Sequence, residues 1–298
     1  MTDISDYVNN LRNKIEQRLC SIVSSIPDSD ILLETIENGK RLRPVLLILV
    51  FEAFDGESFE RALDLACAIE LSHCASLIFD DILDEHTERR GKPALWKKIG
   101  IKQSVMIGHR LINLAFRLAL KNGIYFADMF LKTWNDAVDG AWQELTKLNA
   151  HEHDRKLYMN IVKKKTASMF SAAAEIGALL ANANPRDVKT SKKYGEKVGT
   201  AFQLADDYVD SILGQELATG YDYKSFWKRD FFEKELFAAI SECIGTCEEM
   251  SISEFYKDYL RNFPLYCIEL IFNTIKRSSE REMLQKFYDE ILRSHRLR

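Results

Sequence analysis

The sequence has little that bends or breaks a chain. It holds only 5 Pro and 13 Gly in 298 residues, so turns are sparse and long helices are expected. It lacks a long apolar run. The longest uninterrupted one, Val45 to Phe51, falls far short of the ~20 residues a membrane-spanning helix needs. It lacks an excess of positive charge. With 41 Lys and Arg against 45 Asp and Glu, the net charge is −4, which gives no footprint for nucleic acid. An anionic ligand must therefore be held by local cations or by metal. It also lacks paired cysteines. Cys20, Cys67, Cys74, Cys243, Cys247 and Cys267 form no CxxC pair and no Cys/His ligand set. Cys243 and Cys247 share a helix face by spacing, but no His or second Cys pair accompanies them, which argues against zinc. Buried, reduced thiols in a cytoplasmic protein are the expectation. The N-terminus, Met1-Thr-Asp-Ile-Ser-Asp6, lacks the basic and apolar regions of a signal peptide.

What is present is helical period. Hydrophobic residues at 46% and charged residues at 29% give a globular composition. Ile4, Val8, Leu11, Ile15, Leu19 and Ile22 fall on one stripe of a helix. Residues 45–54, 60–84, 103–121, 125–149, 155–182, 187–213 and 230–248 continue in the same way. Strand alternation bounded by turn signals is found nowhere. The breaks at Ile26-Pro27, Asn38-Gly39, Asp55-Gly56, Arg90-Gly-Lys-Pro93, Asn122-Gly123 and Asn182-Ala-Asn-Pro185 are short, and none reads as an interdomain linker. The pattern predicts one all-α domain over residues 1–298. The stretches around Ile69–Leu83 and Phe170–Leu180 are apolar on more than one face, which places them at the centre of a bundle.

Two acidic clusters interrupt this apolar pattern. The first is Leu77-Ile-Phe-Asp80-Asp81-Ile-Leu-Asp84, and the second is Phe202-Gln203-Leu-Ala-Asp206-Asp207-Tyr-Val-Asp210. Helical spacing puts the three aspartates of each on one face, by i,i+3 and i,i+4 relations. Three carboxylates in apolar company repel one another and resist desolvation, so something cationic must compensate. An acidic first turn or a solvated salt-bridged face would explain one such cluster. Two with identical spacing, each inside an apolar helix, point to hard oxygen ligands for Mg²⁺ and a diphosphate. A Ca²⁺-binding loop is excluded, since neither cluster has the central Gly or the alternating ligand spacing.

Cations lie near both clusters in sequence. Gly39-Lys40-Arg41-Leu42-Arg43-Pro44 opens an apolar helix, with Pro44 in a first-turn position. Arg89-Arg90-Gly91-Lys92 follows the first cluster, and Lys163-Lys164-Lys165-Thr166 opens another apolar segment. Arg guanidinium matches phosphate oxygens in a bidentate way, while Lys serves as a point charge. A lone His on an apolar helix is most often a core residue. His73, however, stands seven residues before Asp80, two turns away on the same face, which favours anion binding.

GKRLRP, then ELSHCASLIFDDILD with ERRGKP, then KTASMF, then FQLADDYVD occur in the order and rough spacing of the trans-isoprenyl diphosphate synthases. The sequence resembles that family, the polyprenyl synthetases, over roughly residues 35 to 215. The resemblance implies an all-α bundle around a central cavity, usually a homodimer, that condenses isopentenyl diphosphate with an allylic diphosphate. It implies that Asp80, Asp81, Asp84 and Asp206 ligate three Mg²⁺ ions, with Asp207 and Asp210 in support. Arg89, Lys165, Thr166 and Gln203 match residues at the allylic diphosphate and the carbocation. Lys40, Arg43, His73 and Arg90 match the isopentenyl diphosphate site. The family sets chain length partly through the residues just before the first cluster. Ala75 and Ser76 are small, which favours a geranylgeranyl-length product over a farnesyl one.

The sequence departs from the family pattern after Asp210. The usual Gly-Lys pairs are replaced by Ser211-Ile-Leu-Gly-Gln-Glu-Leu-Ala-Thr-Gly-Tyr-Asp-Tyr-Lys224-Ser-Phe-Trp-Lys228, in which Lys224 or Lys228 could supply the lost charge. Phe79 stands where His is frequent, Gly108-His109-Arg110 where Gly-Asp-Tyr is, and Ala141 where Gln is. Two alternatives stay open beside synthesis. One is a divergent relative that ionises a prenyl diphosphate for cyclisation or transfer. The other is a non-catalytic regulatory subunit.

Overall fold

Helices form over most of the segments with an apolar period, and the breaks at Pro27, Gly39, Gly56, Gly123 and Asn182 fall between them. The computed structural model describes residues 4–27, 29–147, 154–213, 229–275 and 278–295. Near the N-terminus lie α1 (Ile4–Ser24), α2 (Ser29–Ile36), α3 (Leu42–Ala53) and α4 (Phe59–Leu83). A two-stranded hairpin, β1 (Glu88–Arg89) and β2 (Lys92–Pro93), precedes α5 (Leu95–Ile99), α6 (Ile101–Lys121) and α7 (Ile124–Lys147). Next come α8 (Arg155–Ile161), a π-helical segment (Val162–Ala167), α9 (Ser168–Leu180) and α10 (Pro185–Leu213). The last elements are α11 (Arg229–Glu248), α12 (Glu254–Phe272) and α13 (Ser278–His295).

The most apolar helices are innermost, as their all-round hydrophobicity requires. Every residue from Leu42 to Phe51 of α3 is buried, and α9 is buried on nearly all sides. α4 packs against α3 and α6, and α9 against α3 and α10. α4 is long and apolar enough to cross a membrane, but 78% of its apolar window is buried inside the fold. One apolar cluster joins α1, α3, α4, α6 and α9, and a second joins α8, α10, α11, α12 and α13. Phe202 of α10 packs against both.

Three local features depart from the simple period. The sequence shows no strand pattern at residues 88–93, yet a hairpin forms there with Glu88 opposite Pro93 and Arg89 opposite Lys92. Arg90 and Gly91 both take positive φ, 55° and 73°, as a two-residue turn of this hand requires. Pro264 lies inside α12 rather than ending it. The run Lys163–Thr166 does not open a helix. It lies in a π-helical turn between α8 and α9, a rare geometry often found at functional sites.

Of the six thiols, Cys67, Cys74, Cys243, Cys247 and Cys267 are buried as expected, whereas Cys20 is exposed. The substituted segment carrying Lys224 and Lys228 lies outside the described residues, as do the last residues of the basic C-terminal end.

Candidate active site

The first aspartate cluster ends α4. Asp80 and Asp81 are in the last turn, and Asp84 is the residue that closes the helix, its N–H donating to Asp80 O at 2.8 Å. The face predicted to hold three equivalent carboxylates is divided. Asp80 and Asp84 are half-buried, while Asp81 is only 4% exposed. A helix turns about 100° between neighbouring residues, so Asp81 points toward the hairpin and meets Arg89. Arg89 Nε donates to Asp81 Oδ1 at 2.9 Å, and its terminal nitrogen also binds that oxygen. Burial works against the Arg89 charge, but the bond to Asp81 and the fields of Asp81, Asp80 and Asp206 hold it protonated. Arg89 thus senses carboxylates of both clusters.

The second cluster shows the same division on α10. Asp206 and Asp210 are half-buried, and Asp207 is 1% exposed. Asp207 Oδ2 accepts from Tyr158 Oη at 2.6 Å, and Oδ1 accepts from Gln203 Nε2 at 3.1 Å. Gln203 Oε1 in turn accepts from Thr166 Oγ1 at 2.6 Å. The buried second aspartate of each cluster is therefore committed to protein donors.

Lys165 connects the π-helical turn to the first cluster. Its ammonium lies 3.8 Å from Asp80 Oδ1 and forms a closer pair with Glu144 of α7. Burial opposes that charge, yet Asp80 and Glu144 outweigh burial and raise the Lys165 pKa. The two preceding lysines face elsewhere, Lys163 to Glu196 at 3.2 Å and Lys164 to Asp139 at 3.1 Å. Gly140 permits the approach of α7, because a Cβ there would lie 2.5 Å from the Lys165 backbone nitrogen. Asp80 itself is pushed up from 3.8 to about 6, first by burial, with Asp84 and Glu144 adding and Lys165 and Arg89 opposing.

The remaining predicted residues form a group of three cations and one histidine next to the clusters. Lys40 is half-buried, and burial lowers its pKa against the pull of Asp206. Arg43 is 8% exposed, stacks over the Phe170 ring at 4.5 Å, and leaves its buried Nε without a hydrogen-bond partner. Burial lowers the Arg43 pKa to about 10, so it still carries charge at neutral pH. Burial and the fields of Arg43, Arg90, Arg41 and Arg89 push His73 well below its ordinary pKa, so it is neutral at pH 7. Arg90 is exposed at the hairpin tip and donates to Glu37 O at 2.5 Å.

Arg41, the middle cation of Lys40-Arg-Leu-Arg43, faces away from this group. It is 1% exposed and pairs with Glu70 at 2.6 Å and Glu16 at 2.8 Å. It is a buried structural clamp between helices α1, α3 and α4.

Sequence reasoning missed two site residues. Glu144 has no local pattern that marks it, apart from the need of a half-buried lysine for a counter-ion. Tyr158 reads as one more apolar position of α8, and only the buried acid opposite it reveals its role.

An apolar cleft of ≈ 290 Å³ lies further along α4 from Asp80, lined by Ile69 and Ser72 of α4, Phe130, Thr133 and Trp134 of α7, and Met169, Ala172 and Ile176 of α9. Phe79 marks its approach, 6.4 Å from Trp134 and 5.9 Å from His109 between ring centroids. Gly108 makes room for Phe79, since a Cβ there would meet the ring at 2.7 Å. The departures at Phe79 and Gly108-His109 are thus fitted to one another.

Comparison with known proteins identifies the family. The polyprenyl synthetase family model matches residues 29–223. A short chain isoprenyl diphosphate synthase of Methanothermobacter thermautotrophicus is 30% identical over 230 residues, covering 72% of this chain and 69% of the relative. A geranylgeranyl diphosphate synthase of Methanosarcina mazei is 35% identical over 185 residues, covering 60% of this chain but only 57% of the relative. The crystal structure of a geranyltranstransferase from Thermotoga maritima superimposes with a TM-score of 0.71 at 26% identity, covering 89% of this chain and 97% of that one. Other relatives are named geranylfarnesyl and octaprenyl diphosphate synthases, so kinship does not fix a product length. By the family match and the extent of these alignments, the chain belongs to the polyprenyl synthetase family and is a trans-prenyltransferase.

Proposed function

We propose that the protein condenses isopentenyl diphosphate with an allylic diphosphate, using Mg²⁺, to give a product near geranylgeranyl length. The observation that carries this reading is the placing of two kinds of charge side by side. Half-buried carboxylates from α4 and α10 lie next to a group of three cations, Lys40, Arg43 and Arg90, with the neutral His73 among them. Two diphosphates need two such places.

The donor set fits a hard divalent cation. Asp80, Asp84, Asp206 and Asp210 offer oxygen only, and all four are half-buried, the setting in which hard oxygen donors suit a divalent cation. Among the described residues no three acidic, His or Cys side chains close into a ready-made metal centre. Mg²⁺ commonly completes its shell with substrate phosphate oxygens. In this reading Asp80, Asp84 and Asp206 hold the metals, of which three are proposed, with Asp210 beside them. Asp81 and Asp207 orient their neighbours. When bound, Mg²⁺ neutralises charge on the departing allylic diphosphate.

The chain's own residues do the rest. Arg89 and Lys165 add positive charge on the leaving-group side. Gln203 and Thr166 lie where oxygen dipoles can face the allylic cation. Arg43, with its unpartnered buried Nε, together with Lys40, Arg90 and the His73 N–H, holds isopentenyl diphosphate so that its double bond meets the cation. Among the described residues no side chain stands out as a dedicated base, and the proton leaves to the released diphosphate. The surrounding apolar helices exclude water that would quench the cation.

Tail length follows from the cleft. Ala75 and Ser76, just before the first cluster, are small, and Ser72, one turn further along α4, lines the cleft. Ile69 lies eleven residues from Asp80, about 16 Å along α4 at ~1.5 Å per residue. An extended isoprene unit has four backbone bonds and spans roughly 5 Å by ordinary bond geometry. The cleft therefore takes about three units of the allylic chain, and the unit added from isopentenyl diphosphate makes four, which favours geranylgeranyl over octaprenyl.

A homodimer is part of the same proposal. On α7, Ile124, Leu131, Val138 and Leu145 recur every seven residues, all exposed, with Trp142 64% exposed beside them. Such a stripe on one helix face fits a second copy packed along it.

The test is direct. Purified protein with Mg²⁺, isopentenyl diphosphate and dimethylallyl, geranyl or farnesyl diphosphate should give a C20 product by mass spectrometry. Diphosphate release without elongation would replace this reading with cyclisation or transfer. No turnover with any primer would point to a regulatory subunit.

A further inference from the structure

Gln203, Asp206, Asp207 and Asp210 share a face of α10, yet Asp207 is the one turned fully inward, against α8. We propose that Tyr158 and Asp207 are positioning residues that fix the direction of a hydrogen-bond chain through Gln203 to Thr166, and with it the sign of the dipoles facing the reacting carbon. This inference rests on the proposed prenyl transfer and deepens it.

The chain has one consistent direction. The Tyr158 hydroxyl donates to Asp207 Oδ2, and the Gln203 amide NH₂ donates to Oδ1. A carboxylate only accepts, so Gln203 must turn its nitrogen to Asp207 and its oxygen to Thr166. Thr166 then spends its hydrogen on Gln203 Oε1. A hydroxyl whose hydrogen is committed presents only lone pairs to its remaining surroundings, which favours a neighbouring cation. Without Asp207's charge the Gln203 amide can rotate, Thr166 can become the acceptor, and its O–H turns positive end outward. The dipole that assisted a cation would then oppose it.

Tyr158 holds this arrangement from behind. Asp154 caps α8 by accepting from the N–H groups of Lys156 and Leu157, which fixes the first turn that carries Tyr158. The Tyr158 ring packs edge-on against Phe231 and Phe232 at 6.0 and 6.5 Å. Burial and the nearby carboxylates keep its phenol protonated, so it is a permanent donor. The π-helical turn at Val162–Ala167 places Thr166 within reach of α10, next to Lys165 and hence next to Asp80.

The experiment compares the full-length wild type with Tyr158→Phe, Asp207→Asn and the double variant. Each is assayed in steady state with isopentenyl and geranyl diphosphates over a Mg²⁺ titration. Tyr158→Phe keeps the ring packing and should lower kcat roughly tenfold, with both KM values within about twofold, as for a group acting only in the transition state. Asp207→Asn should lower kcat roughly a hundredfold without moving the Mg²⁺ concentration at half-maximal rate. The double variant should be no worse than Asp207→Asn, because both act through one chain. If Asp207→Asn does not fold, Tyr158→Phe decides alone. An unchanged kcat in Tyr158→Phe overturns the inference. So does a tenfold shift in Mg²⁺ requirement for Asp207→Asn, which would make Asp207 a ligand. Either failure with an active wild type leaves the proposed function standing. An inactive wild type overturns both.

Discussion

Replacing Asp80 with Asn should stabilise the metal-free protein while abolishing turnover. The Asp80 carboxyl is raised from 3.8 to about 6, chiefly by burial. That is about two units, at about 1.4 kcal/mol each, so ionised Asp80 costs the fold about 3 kcal/mol. Its side chain is 24% exposed, so solvent screening removes only part of this. The pair with Lys165 at 3.8 Å is already counted in that figure as an opposing effect, and Lys165 keeps Glu144 after the substitution. The net gain should be about 2 kcal/mol at pH 7.5. Below pH 4 the folded and unfolded chains both hold this proton. Between about 4 and 6 only the folded chain does, and above 6 neither does. The contribution of Asp80 to stability therefore falls as pH rises through that window. Urea unfolding in EDTA, followed by circular dichroism from pH 4 to 7.5, measures it. The difference between Asp80→Asn and wild type should grow with pH and then level off above 6. A destabilised variant at pH 7.5, or a difference independent of pH, would refute the reasoning. The expected trade of stability for activity is that of a site built to hold charge that its own cations do not fully balance.

Three other outcomes follow from the structure. Ser72→Phe, placed in the apolar cleft below Ser76, should shorten the product by at least one isoprene unit, and Phe130→Ala should lengthen it, both read by mass spectrometry of dephosphorylated products. Leu131→Glu with Val138→Glu puts two charges into the exposed α7 stripe and should convert a dimer to monomer by light scattering, with circular dichroism unchanged. Iodoacetamide at pH 8 should label Cys20 alone in the folded protein. Burial pushes Cys74 and Cys247 up to about 12 and raises Cys67, Cys243 and Cys267 as well, and all five should react only after unfolding.

The helices were legible because their apolar residues recur with one period. α1 buries Val8, Leu11, Ile15 and Leu19, four positions of its predicted stripe. Chain breaks were legible because Pro27, Gly39, Gly56 and Pro185 cannot continue a helix without cost. The hairpin at residues 88–93 was not legible. Two residues per strand leave no alternation to read, and Arg90 adopts positive φ against its own preference. α12 lies beyond the last predicted segment, and Pro264 sits inside it. It stays helical because the helix on either side is buried, which outweighs one lost backbone bond. Lys165 could be chosen by motif, but its separation from Lys163 and Lys164 depends on the π-helical turn, which no periodicity reveals.

The unequal aspartates show where spacing stops being informative. In Asp-Asp-x-x-Asp on a helix, the first and last residues are stacked one turn apart, and the middle one is rotated about 100° from the first. The pattern can therefore present at most two carboxylates squarely to one cavity. The third must face whatever packs alongside. For α4 that neighbour is the hairpin, and it supplies Arg89 to Asp81. For α10 it is α8, and it supplies Tyr158 to Asp207. One partner is a cation and the other a neutral phenol, so the two buried acids differ in consequence. Arg89 offsets charge at the first cluster, whereas Tyr158 leaves the Asp207 charge to polarise Gln203. In the proposed reading the same repeated motif supports leaving-group charge on one side and sets dipole direction on the other, and only the packed neighbours tell the two apart.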